Sequence, residues 1–287
     1  MATVSVAILN VAMPVPHSPK RYIELFATLN RLRIPAGLRS NHCGLVGVHK
    51  TEDPNNWVHG EFRKFFDIDV SDDWFNTLRQ SVAKPEELKD VKIPPHLKPS
   101  YQYFPFVFMP ARHRLVYISK YATQSLSPGQ AKKLLDDLCE SDAVLKKYGR
   151  IEVTVEPRKD ALSEIWKIHQ LRKLILEIVP PNPDDLQAEE KRILKRLQEE
   201  NATAIRQEIR SREKAGLQPS KETKALARVA KSNGKVVGFG ISANGKQVKR
   251  STVNAPMIET VKYDPDMTTA RYAMTETASR FVEKISD

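Results

Sequence analysis

Three prolines within a four-residue stretch, Pro180, Pro181 and Pro183, constrain this 287-residue chain more than any other feature. Proline lacks the N–H that a helix interior or an inner strand needs, so no regular element runs through such a cluster. The chain therefore reads as two lobes, 1–180 and 181–287, each long enough to close a core. Hydrophobic residues make up 40% of the chain, more than a disordered protein carries. No apolar run approaches the roughly 18–20 residues of a membrane span, and Met1 to Val15 has no basic start of the kind a signal peptide carries. Two cysteines, Cys43 and Cys139, cannot build a disulfide scaffold, so the cytoplasm is the expected compartment.

The first lobe reads as a run of strands with a few well-marked helices. Thr3 to Leu9 is an apolar strand stopped by Pro14 and Pro16. Ser18-Pro19 opens a helix to Leu32, with Ile23, Phe26 and Leu29 on its inner stripe. Strands follow at Cys43 to Lys50 and Trp57 to Ile68, then a short helix at Trp74 to Ser81. Beyond the proline-rich connector Lys84 to Pro99, Phe104 to Met109 and Leu115 to Ser119 form a hairpin. Ser127-Pro128 starts a second helix, and Ile151 to Val155, Asp160 to Gln170 and Leu174 to Val179 read as strand, helix and strand.

In the second lobe, Asp184 to Gly216 reads as one long charged helix with a thin stripe of Leu186, Ile193, Leu197, Ile205 and Ile209. Asn233-Gly234 and Asn244-Gly245 are two-residue hairpin signals. They predict a meander of Lys224 to Ser232, Val236 to Ser242 and Gln247 to Val253, then a strand at Met257 to Tyr263. A closing helix from Thr268 to Ile285 buries Met274, Ala278, Phe281 and Ile285. The fold class is α+β: two lobes, mixed or antiparallel sheets with packed helices, one long helix and a β-meander.

Catalytic signatures are weak throughout. None of the seven histidines stands in metal-ligand spacing, and neither cysteine has a CxxC partner. His42-Cys43 are strand neighbours, whose side chains point to opposite faces. Asp67 and Asp69, with Glu61, are the best candidates for a divalent ion, although Asp72 and Asp73 suit a helix cap. Gly238-Phe239-Gly240 opens no helix, so it is not a dinucleotide fingerprint. No catalytic residue, cofactor or metal is assigned.

Charge is the strongest signal. The chain carries a net +11, and the window Arg206 to Arg250 holds twelve cations against three acids, nine of those charges. The candidate nucleic-acid-binding residues are Arg206, Arg210, Arg212, Lys214, Lys221, Lys224, Arg228, Lys231, Lys246, Lys249 and Arg250. Arg206, Arg210 and Lys214 recur at i+4, on one face of the expected helix. Charge in a line without base-reading groups suits a phosphate backbone. Phe239 is the only aromatic residue in the window, which favours duplex contact over stacking on bases.

The order of elements, with Phe104-Pro105-Phe106-Val107-Phe108, Glu156-Pro157, Gly245-Lys246 and Asn254-Ala255-Pro256, resembles the Rex exclusion protein A (RexA)-like family of phage and bacterial defence proteins. That resemblance implies a homodimeric, two-lobed DNA-binding sensor in abortive infection, working beside a separate effector. It carries no catalytic residues over. The rival readings are a metal-dependent nuclease built on Asp67 and Asp69, and a protein–protein module pairing through the long helix.

Overall fold

The computed structural model describes residues 1–38, 41–50, 53–69, 71–181, 188–212 and 215–285, with side chains to Phe281. Two antiparallel sheets organise the molecule, joined by a chain that passes between them twice.

The larger sheet begins with β1 (Ala2–Ala12), followed by helix α1 (Pro19–Leu32) and strands β2 (Ala36–Gly37), β3 (His42–Val48) and β4 (Val58–Phe66). A small separate hairpin, β5 (Phe75–Asn76) and β6 (Ser81–Val82), stands where the sequence predicts a short helix. There the Asn76 side chain accepts from the N–H groups of Leu78 and Arg79, and Gln80 takes φ 49°, which closes a turn in place of a helix. Then come β7 (Gln102–Met109), β8 (Arg114–Tyr121), β9 (Gln124–Ser125), helices α2 (Pro128–Cys139) and α3 (Asp142–Tyr148), and β10 (Glu152–Val155). Among the described residues the strand order is β10-β1-β8-β7-β4-β3-β2, with β9 on β8.

Both long helices start where the sequence places them. Ser18 Oγ accepts from Arg21 N at 3.3 Å, and Ser127 with Gln130 forms a reciprocal capping box, each with proline at the first turn. In α1 the buried stripe is Tyr22, Leu25, Phe26 and Leu29. Ile23 is exposed instead of lying on it.

At β1, β8 and β7 this sheet is covered on both faces. Ala7, Leu9 and Val11 of β1 face α1 and α2, with Phe62, Phe106 and Tyr117 in the same core. Val4, Val6 and Ile8 face the other way, onto α7 (Ala270–Ile285), through Met274, Ala278 and Phe281. A strand buried on both sides is apolar at nearly every position, which is how β1 and Phe104 to Met109 read.

The smaller sheet is built from α4 (Ala161–Trp166), β11 (Gln170–Ile178), α5 (Ala188–Glu199), β12 (Ile205–Arg210), α6 (Lys221–Ser232), β13 (Gly234–Ile241) and β14 (Gln247–Ser251). Its strand order is β12-β11-β13-β14. Helices α4, α5 and α6 cover one face, where Ile165, Ile193, Leu197, Ala227 and Ala230 pack on Leu174, Leu176, Ile178 and Val236.

Here the structure corrects three expectations. The long helix ends at Glu199: Asn201 adopts φ 50° and the Ala202 N–H reaches back to Leu197 O at 2.8 Å, a C-terminal cap that reverses the chain. Ile205 and Ile209 then lie on β12, because a spacing of four fits a strand's period of two as well as a helical turn. The predicted start of that helix, Asp184 to Leu186, falls outside the described residues. Second, Lys224 to Ser232 is helical, not the first strand of a meander: Ser220 Oγ caps α6 by accepting from Thr223 N at 3.1 Å. Asn233-Gly234 ends that helix and makes no hairpin, and Gly234 sits at φ 148° where a Cβ would meet Glu177 O at 2.0 Å. Third, the two sheets do not divide at Pro180. Strand β11 precedes the prolines yet centres the second sheet, and β15 (Ile258–Tyr263) with α7 returns to the first. There β15 pairs with Ala2 to Ala7 of β1, while β10 pairs with Leu9 to Ala12, so the two meet end to end along one edge.

The joint between the sheets is polar and buried. Glu156, 6% exposed, lies 3.4 Å from both Arg114 Nε and Ser232 Oγ, and Thr154 Oγ1 donates to Ser232 O at 2.9 Å.

Candidate nucleic-acid interface

Register decides which charges share a surface. Residues opposite one another in antiparallel strands point to the same face. In the second sheet the covered face carries Ile209, Leu174 and Gly238 in one row and Gln207, Leu176 and Val236 in the next. The opposite face carries three rows in turn. The first runs across all four strands: Arg210, Lys173, Phe239 and Lys249. The second is Glu208, Ile175, Val237 and Ser251, and the third is Arg206, Glu177 and Lys235.

Alternation in the strand sequences produces this. In Gln170–Ile178, Leu174, Leu176 and Ile178 point inward, leaving Lys173, Ile175 and Glu177 outward. In β13 two glycines set the direction: a Cβ on Gly238 would meet Ile165 Cγ2 at 2.7 Å, and one on Gly240 would meet Ile168 Cγ2 at 2.6 Å. Helix α4 and the residues after it pack where those side chains would be, so Phe239 between them is left on the open face.

The electrostatics of that face are unevenly compensated. Arg210 Nε lies 2.5 Å from Glu208 Oε1, and Lys235 Nζ lies 2.9 Å from Glu177 Oε2. The hydrogen bond from Arg210 holds the Glu208 carboxyl below its ordinary range, so it stays ionised. Among the described residues, Lys173, Lys249 and Arg206 form no direct salt bridge, although Glu208 feels the charges of Lys173 and Arg206 at longer range. Lys173 Nζ instead stands 4.4 Å from the Phe239 ring centroid, and Lys249 Nζ stands 5.5 Å from it. Cations over a ring face are drawn to its quadrupole.

The basic residues chosen from sequence do not form one patch. Arg206, Arg210 and Lys249 share the open sheet face. Lys221, Lys224, Arg228 and Lys231 lie on the outward side of α6, whose Ala227 and Ala230 pack on the covered face, so the sheet separates the two groups. Lys246 is in the turn between β13 and β14. Arg250 belongs to the covered side of the edge strand β14, and Arg212 follows β12 as an exposed residue. Lys214 lies outside the described residues. The structure adds Lys173 and Lys235, and it makes Phe239 central. Lys173 precedes the charge-rich window, and only the alternation of β11 marks it as outward.

The acidic candidates are otherwise engaged. Asp67 pairs with Lys98 and receives a long contact from Cys43 Sγ at 3.8 Å, while Asp69 accepts from Ser71 N and Oγ. Burial, together with the nearby Asp67 charge, pushes the Cys43 thiol up, away from a reactive thiolate. Glu61 is held by Arg63 Nε at 2.9 Å and His49 Nε2 at 3.5 Å. Among the described residues no group of three His, Cys, Asp or Glu side chains is placed to hold a metal ion. No described helix is long and apolar enough to cross a membrane.

No curated protein matches the sequence. Residues 2–279 match the domain of unknown function DUF4747, and the chain belongs to that family.

Proposed function

We propose that the protein binds nucleic acid through the uncovered face of the sheet formed by β12, β11, β13 and β14. It would serve as a recognition component of a defence module, the role implied by the RexA-like resemblance, and not as an enzyme. The observation supporting this reading is the row Arg210, Lys173, Phe239 and Lys249, with Arg206 nearby, on a sheet face that the helices leave open. Cations on a rigid surface attract phosphates, whose counterions are released on binding, and this makes affinity steeply salt-dependent.

Two charge-reversal variants test it. Lys173, Arg206 and Lys249 to Glu, made together, should abolish binding to labelled oligonucleotides between about 50 and 200 mM salt. Lys221, Lys224 and Arg228 to Glu changes the same number of charges on the far side of the sheet. It should leave most of the affinity in place. Equal losses in both variants, measured by fluorescence anisotropy, would show that net charge matters and the open face does not.

A further inference from the structure

The geometry points to a single-stranded ligand at this face, with one unpaired base stacked on Phe239 and the adjacent phosphates on Lys173 and Lys249; this rests on the nucleic-acid reading above. The sequence alone favours a duplex, since Phe239 has no aromatic neighbour in the window. Its placement changes that inference for three reasons.

The first is shape. A duplex major groove, about 12 Å wide, admits a helix or a two-stranded ribbon. Here the cations lie across four hydrogen-bonded strands, a surface roughly 14 Å wide at about 4.8 Å per strand. Such a face meets a duplex only at its phosphate ridges, and a ring lying between two cations never reaches a base that is still in its stack. An unpaired base has a free π-face and can lie on the ring.

The second is spacing. Phe239 is flanked on both sides, one strand away, by Lys173 and Lys249, and among the described residues neither ammonium group near the ring has a carboxylate within 4 Å. A base taking the ring face displaces those ammonium groups outward, towards the phosphates on either side of its own nucleotide. Ile175 and Val237 in the neighbouring row are buried, 7% and 8% exposed, so contact with a ligand falls to Phe239 and the charged side chains around it.

The third is rigidity. Phe239 stands on an inner strand, paired with β11 on one side and β14 on the other. Gly238 and Gly240 leave no space for this segment to rotate, because Ile165 and Ile168 occupy the positions their side chains would take. A preorganised ring loses little entropy when a base stacks on it.

The test uses the full chain and four labelled probes: a single-stranded oligodeoxynucleotide, the same sequence as RNA, its duplex, and an abasic strand with the same phosphates. The unmodified protein should bind one or both base-bearing single strands at least about tenfold more tightly than the abasic strand. Phe239→Ala should remove that advantage while leaving abasic and duplex binding unchanged, and Phe239→Tyr should keep it. Lys249→Gln should weaken all four probes. Equal affinity of the parent for base-bearing and abasic strands overturns the inference, as does a Phe239→Ala variant with circular dichroism and single-strand binding like the parent's. Failure of the parent to bind any probe removes the nucleic-acid reading itself. Binding of every probe with no dependence on Phe239 removes only the single-strand inference.

Discussion

The two sheets of this protein are made by the same kind of antiparallel pairing and treated in opposite ways. The first is sandwiched around β1, β8 and β7: α1 and α2 cover one face and α7 the other, and β1 is apolar on both sides. The second is covered once, by α4, α5 and α6, and its other face carries cations around one aromatic ring. A strand's composition therefore reports how many of its faces are covered. Where it is sandwiched, the first sheet has little surface left for a ligand. The half-covered sheet has a flat, rigid surface for one, and its strands alternate accordingly.

That contrast is open to direct attack, and the largest effect belongs to the sandwiched sheet. Phe106 is 1% exposed, with the Phe26 and Phe62 rings at 5.7 and 5.1 Å. Phe106→Ala should cost about 3–5 kcal/mol in urea unfolding. Phe239→Ala, on the open face, should cost less than about 1 kcal/mol, and comparable losses for the two would erase the distinction between the sheets. Next in size is Gly238→Ala. Its new methyl group meets Ile165 from α4, and overpacking of this kind costs about 1–3 kcal/mol. A neutral result would mean that α4 does not clamp β13, and the fixed orientation of Phe239 would lose its cause.

The smallest effect is electrostatic and sits where α2 meets β10, at the border of the sandwiched sheet. Burial raises the carboxyls of Asp136 and Glu152 despite Lys132 and Arg150 beside them. A carboxyl raised in the folded state binds protons more readily there than in the unfolded chain, so stability falls as pH rises through that interval. Asp136→Asn should raise the urea midpoint slightly at pH 7, and the gain should vanish below the unfolded carboxyl pKa, about 3.9. A gain of the same size at both ends of the pH range would assign the effect to packing.

Much of the first sheet was legible from local signals. Ser18-Pro19 and Ser127-Pro128 begin helices by side-chain capping, which depends on a few adjacent residues. The Phe104 hairpin and the closing helix, with buried Met274, Ala278 and Phe281, follow from runs and periodicity. The second sheet was harder to read. Ile205 and Ile209 fit a helix or a strand equally, and the Asn201 turn that decides between them requires no glycine. Asn233-Gly234 has the composition of a hairpin, but the capped helix α6 precedes it and fills the place a strand would need. Lys173 gives no signal in the charge along the chain, because its neighbours Phe239 and Arg210 come from other strands.

By itself the sequence determined the α+β class, the capped helices, the doubly apolar strands and the size of the positive charge, because each depends on neighbouring residues or on simple counting. Only the tertiary structure decided that β11 leaves the first sheet, that β15 and α7 return to it, and that the basic window divides across a sheet. Strand partners are chosen by burial over long sequence separations, and a one-residue change of register moves every side chain to the opposite face. The charge was written in the chain, and its surface was assigned by pairing.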